Sequence, residues 1–558
     1  MSNSPELAQE ISSHFIFNEK RKPLPQSFNY WTEKDCLLIT YADTFLDRQS
    51  KPLKNLNSFL TVDLDRIFSL VHILPFFPFS SDDGFAVMDY EKVRNDLGDW
   101  EDIRQISDSS KIVGDVVINH ISSQHNWFQQ FKKSKEPGKY FIKTCPPDMD
   151  ITKVIRPRNS DLLSETKTAN GKQLVWCTFS PDQIDLDFSK PATLIEFIKL
   201  FKFYYDQGIR VFRLDAIGFI WKKSGTSCLN LPEVHDFVKL IRAITDTAPE
   251  PILLLTETNV PNHENLQYFG NGNEAHIIYN FSLPPLLVHA LLTGQSEFLR
   301  QWMMTQPPTL ENCTSLNFTA SHDGIGLRPL EGLLPEQDIN KIVETAKKFG
   351  GKVTKRKRNN KDVPYELNIT YFDILKGTFD GVDDYQIDRF IASQTIMMSI
   401  EGIPAFYVQS LFGSKNDIEK LNQTGHNRAI NRHQWKLEEL RHALKDVGSK
   451  EHHIFNELKR RITIRKLQKA FHPDATQFTL QLNDELFGFW RQSLCRKQSL
   501  FVVTNLTRKR KKLELVELNL FQNAKWYELL SNKRINNTRK PIYLSPYQTV
   551  WITNLKTD

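Results

Sequence analysis

The stretch Val211-Phe212-Arg213-Leu214-Asp215 reads as a short buried strand that ends on a carboxylate. Two further runs end in the same way, Leu253-Leu254-Leu255-Thr256-Glu257 and Asn317-Phe318-Thr319-Ala320-Ser321-His322-Asp323. In a β/α barrel the loops at the C-terminal ends of the strands converge on one pocket, so an acid placed there faces the chemistry. A single strand-end acid is as often a helix cap or an ion-pair partner. Three such endings, each among distinctive neighbours, predict one acidic site.

Working outward, eight runs of strand type alternate with helical patterns: Cys36–Tyr41, Leu70–Leu74, Lys111–Ile118, Arg210–Leu214, Ile252–Thr256, His276–Asn280, Ser315–Thr319 and Pro404–Tyr407. That rhythm predicts parallel strands joined by crossover helices, and eight strands suffice to close a (β/α)8 TIM barrel. Two long connections, Ile121–Lys190 and Gly324–Asn368, break the rhythm and are expected to hang over the rim as functional loops. After about Gln468 the texture changes to period-two alternation, as in Phe478-Thr479-Leu480-Gln481-Leu482 and Leu500-Phe501-Val502-Val503-Thr504, which predicts a C-terminal antiparallel β domain. The expected division is 1–120 for an N-terminal segment and the first part of the barrel, 121–190 for an inserted domain, 191–323 for more barrel, 324–372 for an inserted loop subdomain, 373–467 for the last part of the barrel and 468–558 for the β domain.

Length and composition agree with such an enzyme. The chain has 558 residues, 40% hydrophobic and 25% charged, which is ordinary for a globular protein and argues against disorder. A net charge of +6 is a weak bias made by two local runs, Lys355–Arg358 and Arg508–Lys512. Runs this short are usually solvated loops or hairpin tips, so no nucleic-acid partner is expected. The six cysteines, Cys36, Cys145, Cys177, Cys228, Cys313 and Cys495, show no CxxC or His spacing, so neither a metal site nor a disulfide framework is expected. The first residues, Met1–Glu19, contain no apolar run of signal-peptide length, and no stretch of membrane-spanning length occurs, so a cytoplasmic setting without membrane contact is expected.

Cleavage of a glycosidic bond with retention requires a carboxylate nucleophile and a carboxylic acid about 5 Å apart, one to attack the anomeric carbon and one to protonate the departing oxygen. Asp215, Glu257 and Asp323 supply that pair and one more acid. Arg213 lies two residues before Asp215, hence on the same face of the strand, where it can hold the nucleophile ionised.

The motifs around these acids carry a resemblance. Asp115-Val116-Val117-Ile118-Asn119-His120, Phe212-Arg213-Leu214-Asp215-Ala216, Thr256-Glu257 and Ser321-His322-Asp323 resemble, in order, the four conserved regions of glycoside hydrolase family 13, the α-amylase family. Val71–Phe79, Ser81-Asp82-Asp83-Gly84-Phe85, Ile155-Arg156-Pro157-Arg158, Gly225-Thr226-Ser227-Cys228, His322–Gly326 and Ile430-Asn431-Arg432-His433 are similar to its sucrose-phosphorylase-like subfamily, over nearly the whole chain from Leu37.

The resemblance implies Asp215 as nucleophile, Glu257 as general acid/base and Asp323 as the carboxylate that stabilises an oxocarbenium-like transition state. It implies that Asp82 and Arg432 grip the far hydroxyls of a glucosyl unit, that His120 and His322 bond its nearer hydroxyls, that Phe85 and Phe179 form an apolar platform and that Gln183 stands beside the acceptor site. Arg158 and Tyr365 match residues that bind phosphate, the nucleophile that replaces water in a phosphorylase. No metal or organic cofactor is implied, the partners are an α-glucoside and inorganic phosphate, and the chain is expected as a monomer or homodimer.

The acceptor depends on details. Around the acid/base, Glu257-Thr258-Asn259-Val260-Pro261, and in the second long loop, Tyr365-Glu366-Leu367-Asn368, depart from the sucrose-active pattern. Together with Tyr268-Phe269-Gly270 they are more similar to the glucosylglycerate phosphorylase branch, which places Asn259 and Glu366 at the acceptor site. Phosphorolysis of sucrose or sucrose 6'-phosphate, simple hydrolysis, and carbohydrate binding without catalysis are the alternatives.

Overall fold

The computed structural model describes residues 5–17, 28–358, 361–520 and 524–556; parts of the expected N-terminal segment, residues 1–4 and 18–27, lie outside the described residues. Eight parallel strands close into a barrel: β1 (Leu37–Thr40), β2 (Leu70–Ile73), β3 (Lys111–Val117), β4 (Ile209–Asp215), β5 (Leu253–Thr256), β6 (Ile277–Tyr279), β7 (Thr314–Phe318) and β8 (Ile403–Tyr407). They neighbour one another in chain order, and β1 pairs with both β2 and β8. All eight coincide with the expected runs to within about two residues at each end. These runs are legible because strands buried on both faces are near-continuously apolar; β5, Leu-Leu-Leu-Thr, is buried at every position.

Register places the acids. Leu214 stands opposite Thr256 between β4 and β5, and the Glu257 N–H donates to the Leu214 carbonyl at 3.2 Å, so Asp215 and Glu257 leave the rim side by side. Immediately after Asp215, Ala216 adopts a left-handed conformation (φ 50°). This is unusual for a residue with a Cβ. The turn it makes aims the Ala216 N–H at Glu257 Oε2, 3.0 Å away.

Between β3 and β4 the chain forms an antiparallel hairpin (Leu163–Thr168 with Gly171–Trp176), and His120–Ser122 pairs with Gln183–Asp185. Between β7 and β8 the strand Lys361–Asn368 pairs with Lys352–Arg358 on one side and with Ile325–Gly326 on the other. The basic run Lys355–Arg358 is therefore not a solvated tip throughout: Arg356 is buried and pairs with Glu331 at 2.7 Å, while the side chain of Arg358 lies outside the described residues.

The C-terminal region forms a six-stranded antiparallel sheet that includes Leu486–Gln492, Ser499–Asn505 and Thr549–Thr553. Its alternation divides two cores. Phe487, Phe489, Val502 and Trp551 join the main core against the barrel, whereas Leu486, Phe501, Val503, Val550 and Ile552 close a second core on the far face. Among the described residues, no helix is long and apolar enough to cross a membrane.

Candidate active site

A pocket of about 710 Å³ opens at the C-terminal rim of the barrel. Asp82, Phe85, His120, Arg158, Phe179, Gln183, Asp215, Glu257, Asn259, His322, Asp323 and Tyr365 all line it. Three residues expected at the site do not: Arg213, Glu366 and Arg432.

Arg213 lies beneath the pocket, buried on β4, and donates from Nη1 to Asp215 Oδ1 at 2.7 Å and to Asp115 on β3. Asp115 is fully buried and also meets His72 Nε2 of β2 at 2.7 Å. The guanidinium carbon lies 5.7 Å from the ring centres of both Phe85 and Tyr279. Burial pushes the carboxyls of Asp215 and Glu257 above the ordinary range; the nearby Glu257 charge adds to the rise at Asp215, and the Asp323 charge to the rise at Glu257. Such a pair shares a proton. Arg213 bonds Asp215 directly, while among the described residues Glu257 receives only the Ala216 N–H, so the proton belongs on Glu257.

Asp323 differs. Burial works against its charge, but Arg428, His322 and Arg432 outweigh burial and hold its carboxyl well below the usual range. Arg428 Nη1 pairs with Asp323 Oδ1, and Nη2 and Nε fork onto Glu366 at 2.8 and 3.1 Å. Glu366 was expected at the acceptor site; it is instead 2% exposed, bonded to Arg428 and to Asn368 Nδ2 (2.7 Å). Successive residues on a strand point to opposite faces, and Tyr365 is the one turned to the pocket.

Arg432 donates from Nε to the His322 carbonyl at 3.0 Å, and its Nη1 pairs with Asp83, not with its expected companion Asp82. Asp82 faces the pocket and accepts from Gln183 Nε2 at 3.3 Å. Both aspartates lie at positive φ, 55° and 47°, which turns the two adjacent carboxylates in different directions. Gly84, at φ 113°, completes the turn so tightly that a Cβ there would lie 2.6 Å from the Pro75 carbonyl oxygen.

The two histidines are held neutral. Burial lowers His322 to about 3, and its ring stacks on Phe85 at 5.1 Å and 6°. Burial also lowers His120, whose Nε2 lies 2.9 Å from the Phe85 carbonyl. Behind His120, Asn119 bonds Asp185 (3.2 Å), and buried Lys222 pairs with Asp185 (2.7 Å) and donates to Asn119 (2.8 Å). Phe179 packs edge-on against Phe219 at 5.5 Å on the wall.

On the open side stand Arg158, Asn259 and Tyr365. Arg158 is half-buried and has no ion-pair partner among the described residues, whereas Arg213, Arg428, Arg432 and Lys222 are all paired. Burial raises the Tyr365 hydroxyl, while the nearby Arg158 charge opposes the shift. Asn259 Oδ1 is buried without a hydrogen-bond partner among the described residues, and a Cβ on Gly326 would come within 2.9 Å of Asn259 Nδ2.

Sequence reasoning missed Arg428, Asp83, Asp115, His72 and Lys222. Arg428 sits four residues before Arg432, a spacing that could have drawn attention to it, but its partners are 62 residues or more away. His72 and Asp115 reach Arg213 from other strands, so their part of the layer under the pocket carries no local signal.

A closed barrel whose rim gathers four carboxylates, two neutral histidines and an aromatic wall in one pocket is the site of a carbohydrate-active enzyme. Residues 67–323 match the α-amylase catalytic domain. The chain is 40% identical to a glucosylglycerate phosphorylase of Allomeiothermus silvanus, covering 87% of this chain and 90% of that one, and 39% identical to a glucosylglycerate phosphorylase of Escherichia coli, covering 97% and 94%. Its fold matches the crystal structure of sucrose 6F-phosphate phosphorylase from Thermoanaerobacter thermosaccharolyticum with a TM-score of 0.75 at 26% identity, over 86% of this chain and 94% of that one. The protein belongs to the α-amylase family, glycoside hydrolase family 13.

Proposed function

We propose that this protein is a retaining glycoside phosphorylase that converts 2-O-α-glucosylglycerate and phosphate into α-D-glucose 1-phosphate and D-glycerate. Asp215 attacks the anomeric carbon while Glu257 gives its proton to the departing glycerate oxygen, leaving a β-glucosyl ester on Asp215. A phosphate oxygen then displaces Asp215, its proton passes to Glu257, and the α configuration returns. Asp323 stays ionised beside the forming cation. Asp82, His120, His322 and Arg432 hold the glucosyl unit, directly or by fixing its neighbours, and Phe85 and Phe179 provide the apolar wall. Gln183, bonded to Asp82 and His120, stands at the acceptor side.

The observation that carries this reading is Arg158. A guanidinium without an ion-pair partner among the described residues, beside Tyr365 in a pocket where Arg428 is neutralised, suits a small anion, which it can bind bidentately. Both anions of the reaction, glycerate leaving and phosphate entering, fit that requirement. The glycerate assignment is supported by the two glucosylglycerate phosphorylases at 40% and 39% identity. Asn259, with an unpartnered oxygen, is available to the acceptor's hydroxyls. All six cysteines are free thiols, which supports a reducing cytoplasmic setting.

The test is glucose 1-phosphate formation by the purified protein in phosphate buffer, with glucosylglycerate and sucrose side by side. Preferential turnover of glucosylglycerate is expected. A preference for sucrose overturns the acceptor, free glucose released without need of phosphate makes the protein a hydrolase, and stabilisation by glucose without turnover of either compound makes it a binding protein.

A further inference from the structure

We propose that Arg428 is the positioning residue through which position 366 acts on the reaction: its guanidinium ties Glu366, on the strand that carries Tyr365, to the carboxylate of Asp323. The inference rests on the role assigned above to Asp323.

The two oxygens of Glu366 are both engaged. Oε2 accepts from Arg428 Nη2 at 2.8 Å, and Oε1 accepts from Arg428 Nε at 3.1 Å and from Asn368 Nδ2 at 2.7 Å. With 2% of its surface exposed, Glu366 has no oxygen left for a substrate. Arg428 does reach the pocket, and its remaining terminal nitrogen pairs with Asp323 Oδ1. The strand is fastened to the same point again, because Asn368 Nδ2 also donates to the Asp323 backbone carbonyl at 3.2 Å. One guanidinium thus sets the orientation of Asp323 and the seat of the strand that presents Tyr365. A glutamine at 366 keeps one acceptor oxygen but turns an NH2 toward the fork, donor against donor, so Arg428 loses part of its support and its grip on Asp323 loosens.

Other charges face Asp323. His322 neighbours it, Arg432 follows Arg428, Arg213 comes from β4, and Glu257 lies beyond β5. Tyr41 and Tyr407 approach from β1 and β8, and Asp82 acts on Arg428 from the loop after β2. Among these, only Arg428 pairs with both Asp323 and Glu366.

The test is a double-mutant cycle with Arg428→Gln, Glu366→Gln and the double variant, read on α-glucosyl fluoride in phosphate buffer, a donor that needs no natural acceptor. Arg428→Gln is expected to lower kcat roughly tenfold or more, because Asp323 loses the guanidinium that orients it. Glu366→Gln is expected to do the same to a smaller degree, and to cost nothing further once Arg428 is gone. Equal cost of Glu366→Gln in both backgrounds, or a wild-type kcat in Arg428→Gln, overturns the proposal. Arg428→Lys serves if the glutamine variant fails to fold: it keeps the charge beside Asp323 without the fork, so kcat returns toward wild type while the effect of Glu366→Gln shrinks; an undiminished effect overturns the proposal. Asp323→Asn separates the two levels, since full activity in that variant removes the role assigned to Asp323 itself.

Discussion

Arg213 donates to Asp215 at 2.7 Å and, from the same Nη1, to Asp115 one strand away, so a single buried cation stands between two carboxylates beneath the pocket. Asp115 shares the charge of Arg213 and is itself steadied by His72. The nucleophile assigned here is therefore paired without being fully neutralised: its other oxygen remains for the anomeric carbon. That division of charge between Asp215 and Glu257, which Arg213 does not bond, is what the proposed chemistry requires.

Asp215→Asn should abolish turnover, on the order of 10⁴-fold or more, since the amide cannot form the glucosyl ester. Rates of glucose 1-phosphate release measure it, and a wild-type rate would remove Asp215 from the role.

Glu257→Gln should cripple reaction with glucosylglycerate by roughly 10²- to 10⁴-fold, the worth of a positioned general acid. Loss should be much smaller in formation of the ester from α-glucosyl fluoride, whose leaving group needs no proton. An equal loss with both donors would contradict the assignment.

Arg158→Ala should shift the product from glucose 1-phosphate toward free glucose, because the pocket then lacks its unpaired cation and water competes for the ester. The ratio of the two products at fixed phosphate reads it. Thermal stability should hardly change, as Arg158 has no ion-pair partner among the described residues to lose.

Acid stability tests His125, which lies outside the pocket. Its Nδ1 accepts the Trp127 N–H at 3.0 Å to cap the helix Asn126–Lys132, and burial lowers its pKa to about 4 despite the nearby Asp89. A histidine whose folded value lies below its unfolded value binds more protons unfolded, so stability falls as the pH drops from about 6.5 toward 4, by up to about 3 kcal/mol. His125→Asn keeps a capping acceptor and removes the titration. Its urea midpoint should therefore depend less on pH across that window than that of wild type; identical slopes would refute the account.

Gly84→Ala should reduce activity, because the turn presenting Asp82 and Asp83 cannot accept a Cβ 2.6 Å from the Pro75 oxygen at φ 113°. The strain is worth about 1–3 kcal/mol and is relieved most easily by moving the turn. A KM for the glucosyl donor equal to that of wild type, in a folded variant, would show that the turn does not place Asp82.

Much of the site was legible because strand ends are local. Asp215 and Glu257 follow runs of apolar residues that can only be buried, and register alone then sets them side by side. Glu366 misled for an equally physical reason. Its neighbour Tyr365 faces the pocket, and the choice of face depends on how Lys361–Asn368 pairs with Ile325–Gly326, a long-range match without local signal.

Asp82 and Asp83 show the same limit at closer range. Sequence matches Asp82 with Arg432, yet the aspartate that meets Arg432 is Asp83, a choice fixed by two positive φ angles and by a partner 349 residues away.

The sequence by itself determined the eight strands, the two-faced C-terminal sheet and the identity of the three acids, since apolar period and strand endings are written in consecutive residues. The tertiary structure alone decided the charge state of the site. It brought Asp115 to Arg213, spent Arg428 on Asp323 and Glu366, and left Arg158 without an ion-pair partner among the described residues, because ion pairing in a buried pocket depends on which distant groups arrive within about 3 Å of one another.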